Sequence, residues 1–244
     1  MGKGDHRGLE SGVLPPAGAC MIESPQLRWA FIRKVYALVA MQLLATAAAV
    51  YFVPAIRRFF AARTPAAVAA FVAIILAPII LVLPMVFLRK RHPVNLVLLA
   101  LFTVSMSFAV GLGCLSRKGI IIIEAASLTL VVVVGLTLYT FWAAKRNHDF
   151  SFLGPFLAAA CLILMLYWLG LFCYLQMLPP MGSEATMVYG CVVALVFSGF
   201  IIYDTGNLIK RHGYDEYVMA AISLYLDTVN IFMDIVTCMS SSDP

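Results

Sequence analysis

GIIIIEAASLTLVVVVGLTLYTFWAAKR, residues 119–146, contains one acidic side chain, Glu124, and then no charge until Lys145. A bilayer hydrocarbon core about 30 Å thick is crossed by roughly 20 apolar residues in helical form, and this run exceeds that length. In lipid every unpaired backbone N–H or C=O is costly. A run this long without polar alternation therefore pairs its peptide groups internally, as a helix rather than a barrel strand.

Six further runs of the same kind flank it. The spans predicted from the sequence are Val35 to Pro54, Ala66 to Leu88, Pro93 to Leu115, Gly119 to Ala144, Phe150 to Leu175, Ala185 to Ile209 and Tyr217 to Met239, together 166 of 244 residues. The whole chain is 63% hydrophobic and 12% charged, with a mean hydropathy of +0.96. Soluble domains carry about 25% charged residues. The composition leaves no surface to present to water, so the fold class is an all-α integral membrane protein, a bundle of seven transmembrane helices. Pro78, Pro84 and Pro155 are expected to kink their helices.

Residues 1–27 mix Gly, Pro, Ser and charges without hydrophobic periodicity, and are expected to form a disordered cytosolic tail. The transmembrane domain is assigned to 28–240 and a short tail to 241–244. The first apolar run is too long for a signal-peptide core, so the N-terminus is expected to be retained. Arg28, Arg33 and Lys34, with Trp29 and Phe31, suit the headgroup layer at a helix entrance. With the N-terminus in the cytosol, twelve Lys and Arg fall inside and five outside, which sets that orientation. Seven full spans place the C-terminus on the far side unless the last segment is re-entrant.

The net charge of +5 does not indicate nucleic acid, because the basic residues sit in short clusters between apolar runs and form no stripe. Six cysteines, Cys20, Cys114, Cys161, Cys173, Cys191 and Cys238, make no C-x-x-C or zinc spacing. His6, His92, His148 and His212 all lie in the tail or loops, so no Ser/His/Asp or Cys/His set can be assembled in the membrane. A P-loop, a zincin motif and a dinucleotide fingerprint are absent from the sequence. The reading is therefore not an enzyme and requires no cofactor.

Four acidic residues lie within the apolar runs: Glu124, Asp204 in GFIIYDTGNLI, Asp227 in ISLYLDTVNIF and Asp234 in VNIFMDIV. An ionisable group at mid-bilayer costs at least about 2.5 to 3.5 kcal/mol on insertion scales, so a carboxylate there faces a partner, water or a transported ion. Asp204 and Asp227 sit on helices joined by the short turn KRHGYDE, and those helices must be antiparallel neighbours. Two adjoining buried carboxyls cannot both ionise cheaply. They titrate as a unit, sharing a proton at one pH and separating or binding a cation at another. The competing reading makes each a neutral tie between helices. A hairpin centred on Gly213 leaves the two at depths that differ by roughly 7 Å at helical rise, a gap that tilt, a kink or an uneven turn has to close. Glu124 either snorkels at a helix N-terminus or serves the pore. Asp234 is expected at a frayed, exposed end. Arg89, Lys90 and Arg91 end the second span as a positive-inside anchor, with Arg89 also able to reach a carboxylate and hold a closed state. Asn95, Thr103, Ser105, Ser107, Asn207 and Asn230 are read as polar glue between helices.

Five blocks, HPVNLVLLALFT, EAASLTLVVVVGLTLYTFWAAKR, DFSFLGPFL, IIYDTGNLI and SLYLDTVNIF, occur in the order of the transmembrane Bax inhibitor motif family. The chain resembles that family's Lifeguard branch, particularly its plant members, over roughly residues 25 to 235. The resemblance implies a seven-helix bundle with the last helix central, acting as a pH-sensitive calcium leak that suppresses programmed cell death. It also implies a di-aspartyl pH sensor and cation path at Asp204 and Asp227, transient ligands for calcium, with Arg89 as the latch. FMDIVTCMSSSDP departs from the pattern by supplying Asp234 and no basic end.

The function expected is a passive, proton-gated calcium leak in the membrane of the ER or Golgi, its partners being the lipid bilayer, the transported calcium and other membrane proteins of cell-death control. A membrane scaffold acting only through such protein partners is the alternative. A seven-helix receptor fits poorly, given very short loops.

Overall fold

The computed structural model describes residues 25–62, 64–88, 91, 93–146, 148, 150–175, 182–210, 213 and 216–242. The tail over residues 1–24, together with Arg89 and Lys90, lies outside these. Eight helices are present among the described residues: α1 (Pro25–Phe52), α2 (Arg57–Ala61), α3 (Pro65–Leu88), α4 (Val94–Cys114), α5 (Gly119–Lys145), α6 (Leu153–Leu175), α7 (Ser183–Lys210) and α8 (Tyr217–Ser242). A 3₁₀ turn, Val53–Ile56, joins α1 to α2. Six of them are long and apolar enough to cross a membrane, and α6 adds a seventh apolar helix.

The seven long helices match the seven predicted spans to within a few residues, except at the start. Pro25 opens α1 ten residues before the apolar run begins, a position where its missing N–H costs nothing. Arg33 and Lys34 are thus held on helical backbone with exposed side chains. One sequence expectation needs correcting. Pro155 lies in the first turn of α6, where no carbonyl one turn earlier awaits its N–H, so it introduces no kink. Pro78 and Pro84 do lie inside α3, which runs through both.

The last helix is the centre of the bundle. Over its best membrane-crossing stretch 56% of α8 is buried, against 11–39% for the other candidate spans. It packs on α1, α4, α5 and α7, whereas α3 leans on α4 and α6 on α7 at the periphery. Phe87, Ile79, Ile123 and Leu195 are among many large apolar side chains left exposed on the outer helices. In water such a surface would aggregate, and in a bilayer it is the face that lipid covers.

Helix direction follows from the contacts. Gln42 reaches Thr103 and Thr46 reaches Ser107, each pair 61 residues apart. A constant offset of that kind identifies α1 and α4 as parallel neighbours. Gly111 lets α4 approach the 3₁₀ turn that ends α1, since a Cβ there would lie 2.6 Å from Val53 Cγ2. By contrast α7 and α8 pair antiparallel, with Cys191 against Cys238 and Met187 against Ser242. Seven crossings put the start of α1 and the end of α8 at opposite ends of the bundle, called below the near and the far end.

Candidate functional site

On α8 the polar residues Ser223, Asp227, Asn230, Asp234, Cys238 and Ser241 recur at spacings of four and three. That period lays them on one stripe of a helix. The stripe faces α7: Asp227 adjoins the Asp204 carboxyl, the Asp234 carbonyl lies under Gly190, Cys238 meets Cys191, and the Ser241 carbonyl accepts from the Ser183 hydroxyl. The most extensive helix pairing in the bundle therefore encloses a polar seam at its centre.

Asp204 and Asp227 are brought together. Asp227 is 5% exposed and Asp204 half-buried. Two adjoining carboxyls can hydrogen-bond only with a proton on one of them, because two carboxylates have only acceptors to offer. Oδ2 of Asp227 is buried with no hydrogen-bond partner among the described residues. The depth gap expected for a hairpin centred on Gly213 is closed by the register of the two helices. Asp204–Asp227 and Cys191–Cys238 are both symmetric about residues 214 to 216, so α8 begins ten residues before Asp227 where α7 ends six after Asp204. The pair sits six residues inside the end of α7, about 9 Å from the near end at 1.5 Å per residue.

Asp234 does not lie at a frayed, exposed end. Helix α8 continues to Ser242, and Asp234, two turns beyond Asp227 on the same stripe, is half-buried with Oδ2 shut away from solvent and unpartnered among the described residues. Glu124 is exposed near the far end, on the rim of a cavity of about 510 Å³ that Lys118, Cys191, Cys238 and Ser242 also line. It is remote from the aspartate pair. Arg89 lies outside the described residues, and of its cluster Arg91 is exposed. Among the described residues no three His, Cys, Asp or Glu side chains converge, so two carboxyls are what the near-end site offers a cation.

A second polar group gives Thr103 and Ser107, read from the sequence as glue between helices, three partners the sequence did not single out: Gln42, Thr46 and Tyr225. Tyr225, fully buried on α8, places its hydroxyl 2.8 Å from Thr46 Oγ1, which lies 3.1 Å from Ser107 Oγ. One turn nearer the tail, Gln42 Nε2 donates to Thr103 Oγ1 at 3.0 Å. This knot ties α1, α4 and α8 beside the seam. Its signal was the matched four-residue spacing of Gln42/Thr46 and Thr103/Ser107, legible only once α1 and α4 were known to be parallel.

Comparison with known proteins agrees with this architecture. The family described as Inhibitor of apoptosis-promoting Bax1 matches residues 28–244. The chain is 50% identical to Protein LIFEGUARD 2 of Arabidopsis thaliana over 238 residues, covering 96% of this chain and 97% of that protein. It is 36% identical to Protein lifeguard 4 of Mus musculus, over 88% of this chain and 87% of the relative. It is 35% identical to the Golgi anti-apoptotic protein of Vaccinia virus (strain Lister), over 90% and 89%. An all-helical bundle with its last helix at the centre, matched nearly end to end by these relatives, is a member of the Bax inhibitor family in its Lifeguard branch.

Proposed function

We propose that this chain is a pH-sensitive calcium leak channel of an intracellular membrane, ER or Golgi, that restrains programmed cell death by lowering stored calcium, with Asp204 and Asp227 as its gate. The observation that carries this reading is the pair of adjoining carboxyls between α7 and the central α8, with Asp227 Oδ2 buried and without a hydrogen-bond partner among the described residues. A purely structural tie has no use for an unpartnered buried oxygen, whose desolvation costs about 1–3 kcal/mol. A proton-sensing gate does, because loss of the shared proton turns an attraction into a repulsion and frees ligands for a cation.

The polar stripe of α8 supports a path for that cation. From Asp227 it continues through Asn230 and Asp234 to the far-end cavity. Membership of a family described as inhibitors of apoptosis-promoting Bax1 supports the cell-death role, and the viral relative's name favours the Golgi. The twelve-to-five basic asymmetry supports a cytosolic near end.

The test is calcium flux through the purified full-length chain in liposomes holding a calcium indicator, at several pH values. Flux above empty liposomes that changes with pH is expected. Protein that is folded and inserted yet gives no flux at any pH would sink the channel and leave the scaffold reading.

A further inference from the structure

The far end of the α7–α8 seam holds two thiols that the proposed gate does not use. Cys191 Sγ and Cys238 Sγ lie 3.5 Å apart, on helices joined at their other ends by the near-end turn. Cys191 is exposed and Cys238 half-buried, and both line the open cavity of about 510 Å³ at the far end. Their helices approach closely because residue 190 is glycine: a Cβ there would lie 2.8 Å from Cys238 Sγ and 3.2 Å from the Asp234 carbonyl oxygen. A disulfide bond is about 2.05 Å long, so closing this pair asks each sulfur to move by less than about 1 Å, within reach of side-chain rotation. Cys114 is buried and Cys161 half-buried, both unbonded.

We propose that Cys191 and Cys238 form a redox site, a dithiol that closes reversibly into an intrachain disulfide clamping α7 to α8. The oxidant is a small soluble disulfide, RSSR, of the glutathione class, admitted through the cavity. The more exposed Cys191, as thiolate, attacks one sulfur of RSSR and expels RS⁻, leaving a mixed disulfide. Cys238, as thiolate, then attacks the Cys191 sulfur and expels the second RS⁻. The two protons released by the cysteines end on two RSH, and the two electrons lost by the pair reduce RSSR. The far end is the non-cytosolic one on the basic-residue asymmetry, the side on which disulfides persist.

A clamp here acts on the two helices that carry Asp204 and Asp227. Cys191 is thirteen residues from Asp204 along α7, about 20 Å at helical rise. Oxidation therefore opposes separation of the helices at the gate and lowers the leak. That consequence rests on the proposed function, whereas the disulfide itself does not.

The experiment treats the purified full-length chain in liposomes with oxidised glutathione, alkylates the remaining thiols and maps disulfide-linked peptides by mass spectrometry. Two of the six thiols are expected to be lost, in one linkage joining Cys191 to Cys238, and to return with dithiothreitol. Cys191→Ser and Cys238→Ser should each abolish the linkage, while Cys114→Ser should retain it. All six thiols still alkylated after oxidation, or a linkage through other cysteines, would overturn the site. Because the wild-type map decides this, a serine variant that misfolds does not obscure it. Calcium flux on the same samples should fall on oxidation and recover on reduction. A mapped bond without any change in an active leak overturns the clamp's action, and absence of leak in both states tells against the channel instead.

Discussion

The carboxyl of Asp227 on the central helix adjoins that of Asp204 on its antiparallel neighbour, with Asp227 the more buried of the two. A shared proton makes the two residues one titrating unit, so their mutations should not add. Asp204→Asn and Asp227→Asn are each expected to abolish the pH dependence of calcium flux, and the double variant to resemble a single one. Flux in liposomes at several pH values, with folding checked for each protein, measures this. Wild-type pH dependence in either single variant would reduce the pair to a helix tie.

Arg89→Ala should raise the leak at neutral pH. The family resemblance makes Arg89 the cation that holds the closed arrangement of the aspartates, and its removal shifts the population toward the open state. An unchanged leak from normally inserted protein would assign the residue to membrane anchoring alone.

Asp234 makes a prediction of opposite sign for stability. Its Oδ2 is buried without a partner among the described residues, and a polar atom in that position costs about 1–3 kcal/mol. Asp234→Leu, close in shape and apolar, should raise unfolding stability in detergent by that order, whereas Asp234→Asn, which keeps a polar side chain, should recover little of it. Equal effects from both variants would contradict the desolvation argument.

The Thr46–Tyr225 contact, 2.8 Å across α1 and α8, is expected to contribute modestly. Interhelical hydrogen bonds in membrane proteins average about 0.6 kcal/mol. Tyr225→Phe should therefore cost about that much, and combination with Thr46→Val should lose less than the two separate losses together. Strict additivity in a double-mutant cycle would mean that the two hydroxyls do not interact.

Topology gives a further check. An N-terminal tag should be cleaved by protease added to intact microsomal vesicles, and an N-glycosylation acceptor introduced at residues 116–118, on the far end, should be modified. A protected tag with an unmodified acceptor would invert the bundle.

Much of this molecule was legible in the sequence, because a bilayer imposes its demand residue by residue. Each span must be long and apolar wherever it packs, and the runs around Glu124 or Pro84 declare themselves without reference to a neighbour. The adjacency of Asp204 and Asp227 was also legible, since a short turn leaves their helices nowhere else to go. Only the tertiary structure decided the register, the environment and the remote partners. Asp204 and Asp227 are level because the hairpin is symmetric about residues 214 to 216, and Asp234 is enclosed because α8 stays helical to Ser242 at the bundle's centre. Cys191 meets Cys238, and Thr46 meets both Ser107 and Tyr225, through the rotational phase of packed helices. Hydropathy specifies which segments enter the membrane, whereas contacts between them depend on close packing of particular side chains against one another, a relation between segments that no single segment encodes.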